Sequence, residues 1–233
     1  MLIIGHRGAR GEKPENTIAA LRAGLESGAD MLEFDVRMTK DRVPVLAHDF
    51  HMIRTHKRVD YISRHTLAEL QKRSAGTEYP IVTLDAALKE MFGKILLNIE
   101  VKRYRAVEPV LEVLGAYLKT KSDWELVLFS SFNPLILRKI RRKARRASLA
   151  LLHHINPLDF MAWHIPLRLS AVGFHRLHIS RFSLAVAKKL GLFTYAYTVN
   201  RPEAAKVLAE RGIDGVVTDY PTKFVAERER LKL

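Results

Sequence analysis

His6, Glu33, Asp35, His48 and Glu100 each stand at or near the end of an apolar run, and each is a type that handles protons or cations. The first run, Leu-Ile-Ile-Gly, leads into His6-Arg7-Gly8. The second carries Glu33 and Asp35 two positions apart, so in an extended strand both carboxylates face one side. The third ends Val-Leu-Ala-His48-Asp49, and the fourth holds Glu100 and Lys102, again in phase. Three carboxylates meeting in a poorly solvated place repel one another unless a cation lies among them. Oxygen ligands suit one hard divalent ion, Mg2+, Ca2+ or Mn2+, rather than structural zinc. Two histidines supply a proton acceptor and a proton donor near neutral pH. A lysine beside them adds fixed positive charge opposite an anionic transition state. Together these parts suit displacement at phosphorus. Taken singly, a Glu-x-Asp pair is most often a surface ion pair and a His-Arg-Gly a turn. It is the repetition over four consecutive runs that points to a site.

Such a site needs a scaffold that gathers strand ends. Strand patterns fall at 2–4, 31–38, 43–47, 95–101, 125–129, 149–152, 171–174, 192–199 and 215–218. Helical patterns at 15–26, 84–92, 106–118, 134–144, 184–190 and 202–211 separate most of them. Alternation of this kind means βαβ units and a parallel sheet. With the second and third runs taken as neighbours, about eight strand positions remain, which a (β/α)8 barrel closes. No G-x-G-x-x-G follows the first strand, which argues against a doubly wound sheet. The expectation is an α/β TIM barrel forming one domain over 1–233. A short insertion at about 50–79, after the third predicted strand, carries one helical stretch at 66–72. Asn16 or Thr17 is placed to cap the first helix and Gly28 to end it.

The 233 residues are 48% hydrophobic and 27% charged, which excludes disorder and fibrous repeats. With no cysteine, disulfides, thiolate metal sites and cysteine nucleophiles are excluded. Neither a signal-peptide pattern nor a long apolar run is present, so a cytoplasmic protein is expected. Net charge is +14, from 39 Lys+Arg against 25 Asp+Glu, which favours anionic partners.

The motifs resemble those of the glycerophosphodiester phosphodiesterases. They are His6-Arg7-Gly8, Pro14-Glu15-Asn16-Thr17, Glu33-Phe34-Asp35-Val36, His48-Asp49, Glu100-Val101-Lys102, Tyr197-Thr198-Val199-Asn200 and the stretch from Gly212 to Pro221. They occur in the family's order over essentially the whole chain. The resemblance implies a TIM barrel that hydrolyses glycerophosphodiesters to glycerol phosphate and an alcohol with a divalent cation. It implies that Glu33, Asp35 and Glu100 hold the metal, and that His6 and His48 are general acid and base. Arg7 and Lys102 would contact phosphate, Glu15 would steady a neighbour, and Asn200 would line the mouth. The insertion sits where the family caps its site. Tyr197 stands where the family commonly has tryptophan; it keeps an aromatic wall, either touching substrate or packing in the barrel. An alternative on the same chemistry is a lysophospholipase D or sphingomyelinase D-like activity on single-chain phospholipids.

Other features read more plainly. Seven of the nine residues from Arg138 to Arg146 are basic, with Leu137, Ile140 and Ala144 left to dock one face. This reads as a solvated outer helix; nucleic acid is not expected, and peripheral contact with an anionic membrane fits the charge. His153 and His154 follow a strand and are candidates for the mouth. Phe160, Met161 and Trp163 read as packing, and the 225–233 tail as an oligomer contact or a helix end.

Overall fold

The computed structural model describes residues 1–153, 156 and 158–232. Eight parallel strands close into a barrel: β1 (Leu2–Gly5), β2 (Met31–Met38), β4 (Leu96–Val101), β5 (Val127–Ser131), β6 (Ser148–His153), β7 (Ala171–His175), β8 (Phe193–Tyr197) and β9 (Gly215–Thr218). Pairing of β1 with both β9 and β2 completes the circle. The remaining strand, β3 (Pro44–Leu46), runs antiparallel to the upper part of β2 and stands outside the barrel. The TIM barrel expected from the sequence is therefore present, with one strand added to it.

The period-two alternation of β2 does two jobs. Leu32, Phe34 and Val36 point outward into the core between barrel and helices, while Met31 belongs to the inner core. Glu33 and Asp35, in phase with Met31, consequently face the barrel interior. Register then aligns Asp35 with Glu100 of β4, and Glu100 with Ser130 of β5. The lower interior is filled by Ile4, Met31, Leu128, Ala150, Ala171 and Val217.

Helices pack around this core: α1 (Ile18–Glu26), α4 (Leu84–Met91), α5 (Val107–Leu114), α7 (Pro134–Lys143), α8 (Asp159–Leu167), α9 (Arg181–Lys189), α10 (Pro202–Glu210) and α11 (Pro221–Leu231). A shorter helix, α6 (Lys121–Glu125), precedes β5. Thr17 caps α1 by accepting from the Ala20 amide, one of the two caps expected; Asn16 is used elsewhere. Leu137 and Ile140 of α7 and Ala144, the residue that ends it, are buried as the sequence indicated. Leu137 and Ile140 each contribute about 1.5–3 kcal/mol by leaving water. Its basic face is partly structural, since Lys139 and Lys143 pair with Glu108 and Arg141 binds the carbonyls ending α8.

Several boundaries differ from the sequence reading. The strand expected at 125–129 is 127–131, because Thr120 and Asp123 form a capping box that holds Glu125 in α6. The insertion holds α2 (Ile53–His56), a 3-10 turn at Ile62–Arg64 and α3 (Leu67–Ser74), more regular structure than the one helix expected. Val45, Met52, Ile62 and Leu70 give it a small core of its own. Of the 225–233 tail, the residues to Leu231 lie within α11, where Phe224 and Leu231 are buried, and Leu233 lies outside the described residues. His154 lies outside the described residues.

Candidate active site

The sequence Gly5-His6-Arg7-Gly8 turns sharply off β1. Arg7 has φ +50° and Gly8 φ +83°. A Cβ on Gly8 would lie 2.4 Å from the Ala20 backbone, so only glycine allows the turn to press on α1. Arg7 pays for its left-handed backbone, on the order of 1 kcal/mol, with contacts the turn makes possible. Its amide donates to Glu33 Oε2 at 3.0 Å and its Nη1 to Glu15 Oε1 at 2.8 Å, while Nε lies 3.1 Å from Asp35 Oδ2.

Glu33, Asp35 and Glu100 each place a carboxylate oxygen within 4.8 Å of the others, and all three are buried. Asp35 accepts from Asn16 Nδ2 at 3.0 Å, and its own amide donates back to Asn16 Oδ1 at 3.2 Å. Lys102 Nζ lies 2.8 Å from Asp35 and 2.5 Å from Glu100. Burial, then repulsion from Asp35 and Glu100, pushes the Glu33 carboxyl well up. Burial and Asp35 push Glu100 up to about 7. Burial acts the same way on Asp35, but Lys102 and Arg7 outweigh it and hold that carboxyl below its usual range. The donor set fits one hard divalent cation. It is all oxygen, compact and buried, and two of its three members carry strain from like charge that a cation would relieve.

His6 Nδ1 lies 2.5 Å from Asp219 Oδ1, and Asn200 Nδ2 donates to the other Asp219 oxygen at 2.7 Å. With the Nδ1 proton shared with Asp219, a neutral His6 presents Nε2, 3.9 Å from Glu33, as a lone pair. His48 is held in the same way, with Nδ1 2.8 Å from Asp49. Arg37 donates to the His48 carbonyl at 2.8 and 2.6 Å, fixing the backbone beneath it. Burial lowers both histidines below their ordinary value, opposed at His6 by Asp219 and at His48 by Asp35.

A chain of alternating charge joins the parts. Asp49 binds Arg54 at 2.7 Å, Arg54 binds Glu15 at 2.5 Å, and Glu15 binds Arg7. Arg10 lies 3.5 Å from Glu15 and 3.7 Å from Asp219, closing the network on the His6 side. His6, His48, Arg7, Glu100, Lys102 and Tyr197 line one cleft of about 970 Å³ at the mouth, open to solvent. A barrel carries its chemistry at this end of the strands.

The sequence pattern of the glycerophosphoryl diester phosphodiesterase family matches residues 6–223. The chain belongs to this family. As a family member it is a hydrolase of phosphodiesters. It is 33% identical over 235 residues to a glycerophosphodiester phosphodiesterase of Caldanaerobacter subterraneus subsp. tengcongensis, with 96% of each chain covered. Among solved structures it is similar to an Oleispira antarctica phosphodiesterase in complex with the product sn-glycerol-3-phosphate. That match has a TM-score of 0.89 at 26% identity, covering 98% of this chain and 97% of the other. A glycerophosphodiester phosphodiesterase of Thermotoga maritima superposes with a TM-score of 0.85 at 26% identity, covering 98% of each chain.

The family's motif residues gather as the sequence suggested, with differences of detail. Arg7 and Lys102 line the cleft, yet both are already engaged by carboxylates. Glu15 is a junction of three arginines rather than the support of one neighbour. Asn200, expected to line the mouth, hydrogen-bonds Asp219, the residue that also contacts His6. Tyr197 walls the cleft, its ring edge against Phe132 and its hydroxyl donating to the His153 carbonyl. His153 does not face the mouth. It lies outside the barrel between Phe160 and Phe174, where burial lowers it to about 4.

Sequence reasoning assigned no role to Asp219 or Arg54. Asp219 follows a strand end, as His6 does, and that position was the available signal. Nothing local marked Arg54. Ser130 follows the strand expected at 125–129 and was a candidate to face the site, but the sequence gave no sign of Tyr195 and Asn98, which with Ser130 bury polar atoms beneath the carboxylates.

Proposed function

We propose that this chain hydrolyses glycerophosphodiesters to glycerol phosphate and an alcohol, with one divalent cation held by Glu33, Asp35 and Glu100 and with His6 and His48 transferring protons. One observation carries the reading: three buried carboxylates lie within 4.8 Å of one another, and one of them, Glu100, lines the cleft that both histidines also line. Mg2+, Ca2+ or Mn2+, when bound, would supply positive charge to a non-bridging phosphoryl oxygen. Arg7 and Lys102 add fixed cations around the diester, and Tyr197 and Phe132 shape its alcohol side.

The Nε2 atoms of His6 and His48 do the proton work, because Asp219 and Asp49 occupy the Nδ1 sides. One histidine takes the proton of the attacking hydroxyl as the new P–O bond forms. The other delivers a proton to the alkoxide as the bond to the alcohol breaks. Water attacking directly gives the product in one step. Attack by the neighbouring glycerol hydroxyl gives a cyclic phosphate, which water opens with the histidine roles exchanged. Single-chain phospholipids, the alternative substrate class, gain no favouring feature from the cleft.

Release of glycerol phosphate from glycerophosphocholine and glycerophosphoethanolamine tests the reading, after chelation and with each ion restored. Turnover restored by metal and abolished in His6→Ala supports it. Cleavage of a lysophospholipid in preference to the diesters overturns the substrate assignment, and full turnover in chelator overturns the role of the metal.

A further inference from the structure

Aromatic and aliphatic side chains are expected to be buried, yet one arc of the mouth presents them to water. The turn after β4 reads Arg103-Tyr104-Arg105, and the first turn of α7 exposes Leu135 ahead of Arg138. On α8, Phe160 turns inward and is fully buried, which leaves Met161 outside. The packing role expected for Met161 from sequence is thus corrected. The turn after β7 carries Arg176-Leu177, and α9 opens with Arg181-Phe182. Tyr104, Leu135, Met161, Leu177 and Phe182 are between 45% and 73% exposed.

These turns are neighbours, because β4, β5, β6 and β7 are consecutive in the sheet. Their cations differ from those around Glu15. Among the described residues, Arg103, Arg105, Arg138, Arg176 and Arg181 make no ion pair. Asp159 is the one carboxylate among the residues from Lys102 to Ala106, Phe132 to Arg138, Leu158 to Met161 and His175 to Phe182. Guanidinium groups without a carboxylate partner among the described residues, one of them (Arg176) donating to the Thr198 carbonyl, alternate with apolar side chains along one edge of a chain of net charge +14.

We propose that this arc docks the barrel mouth on an anionic phospholipid bilayer. The arginines would meet lipid phosphates while Leu135, Leu177 and Phe182 enter the boundary between headgroups and acyl chains. Each basic residue near an anionic leaflet adds attraction that salt screens. Exposed apolar side chains add affinity that phosphate attraction alone does not explain. A nucleic-acid backbone would satisfy the arginines but give the aliphatic side chains nothing to enter. Where the proposed function holds, the placement also has chemical sense. A glycerophosphodiester is a phospholipid without its acyl chains, so ester hydrolysis at a bilayer is the class of reaction that supplies it.

Vesicle co-sedimentation tests the proposal without reading turnover, so its failure is separable from failure of the catalytic reading. The full chain is expected to pellet with vesicles of phosphatidylcholine containing about one-third phosphatidylglycerol, but not with phosphatidylcholine alone, and to be released by high salt. A Leu135→Ser, Leu177→Ser, Phe182→Ser variant is expected to partition about tenfold more weakly. It should keep wild-type turnover of a soluble diester, which also shows that it folds. Arg176→Ser with Arg181→Ser should weaken partitioning without touching an apolar residue. Absence of binding to anionic vesicles overturns the proposal. So does a serine variant that binds as tightly as wild type, or duplex nucleic acid that displaces the protein from vesicles at equal phosphate.

Discussion

Around the ends of β1, β2 and β9, carboxylates and cations interlock: Glu15 alone is approached by Arg7, Arg10 and Arg54, and Asp35 by Arg7 and Lys102. Around the ends of β5, β6 and β7, the interior offers Ser130 and Leu152, and the rim offers arginines that make no ion pair among the described residues. Both regions belong to one barrel mouth. The first spends its charges on one another and so fixes atoms to a geometry, as proton transfer at a reacting phosphorus demands. The second keeps its charges for something outside the protein. Net charge cannot distinguish the two, and only the pairing does.

The largest effect is expected where pairing is densest. Glu33→Gln removes a carboxylate from the oxygen cluster, and turnover of glycerophosphocholine should fall by about a thousandfold or more. Rising metal concentration should recover little of the loss. Glu15→Ala leaves three arginines facing one another at the junction. It should lower kcat about a hundredfold by loosening Arg7 and, through Arg54 and Asp49, His48. A kinetic effect confined to KM would show instead that Glu15 is scaffolding.

Asp219→Asn keeps the shape but removes the charge against His6 Nδ1. A loss of about ten- to a hundredfold is expected, as for partners that orient a reacting imidazole. The His6 titration should also move to lower pH, since burial already lowers it and Asp219 opposes that shift. An NMR titration of the His6 ring would read the change, and an unmoved pKa would reduce Asp219 to packing.

The smallest effect concerns stability rather than rate. His153 is lowered to about 4 from 6.5, so as pH falls through that window the unfolded chain takes up the proton first. Its contribution is fully present above pH 6.5 and is lost towards pH 4, by up to about 3 kcal/mol at about 1.4 kcal/mol per pKa unit. His153→Leu should flatten this acid slope in urea unfolding and leave turnover almost unchanged. A slope identical to wild type would show that His153 gains its proton without unfolding.

What the sequence made legible follows the same division. Glu33, Asp35 and Glu100 were readable because a period-two strand leaves no choice about which face they share. Gly8 marked the turn at His6 because only glycine reaches that backbone. The barrel was readable from the alternation of strands and helices. Asp219 went without a role because 213 residues separate it from His6, and closure of the barrel alone brings them together. Arg54 sits in α2, a helix of only four residues in an insertion whose fold depends on a four-residue core. No pattern marked α8, since its residues are apolar on several sides and Pro166 lies inside it. Met161 was consequently taken as buried.

If the three carboxylates form one cation site, hydrolysis should depend on its occupancy. Chelator-stripped protein titrated with Mn2+, with bound ion read by electron paramagnetic resonance and glycerol phosphate release read in parallel, tests it most directly. One tight ion per chain is expected, with turnover that rises in proportion to its occupancy and loss of both in Asp35→Asn. Full turnover of the stripped protein, or tight Mn2+ binding retained in Asp35→Asn, would contradict it.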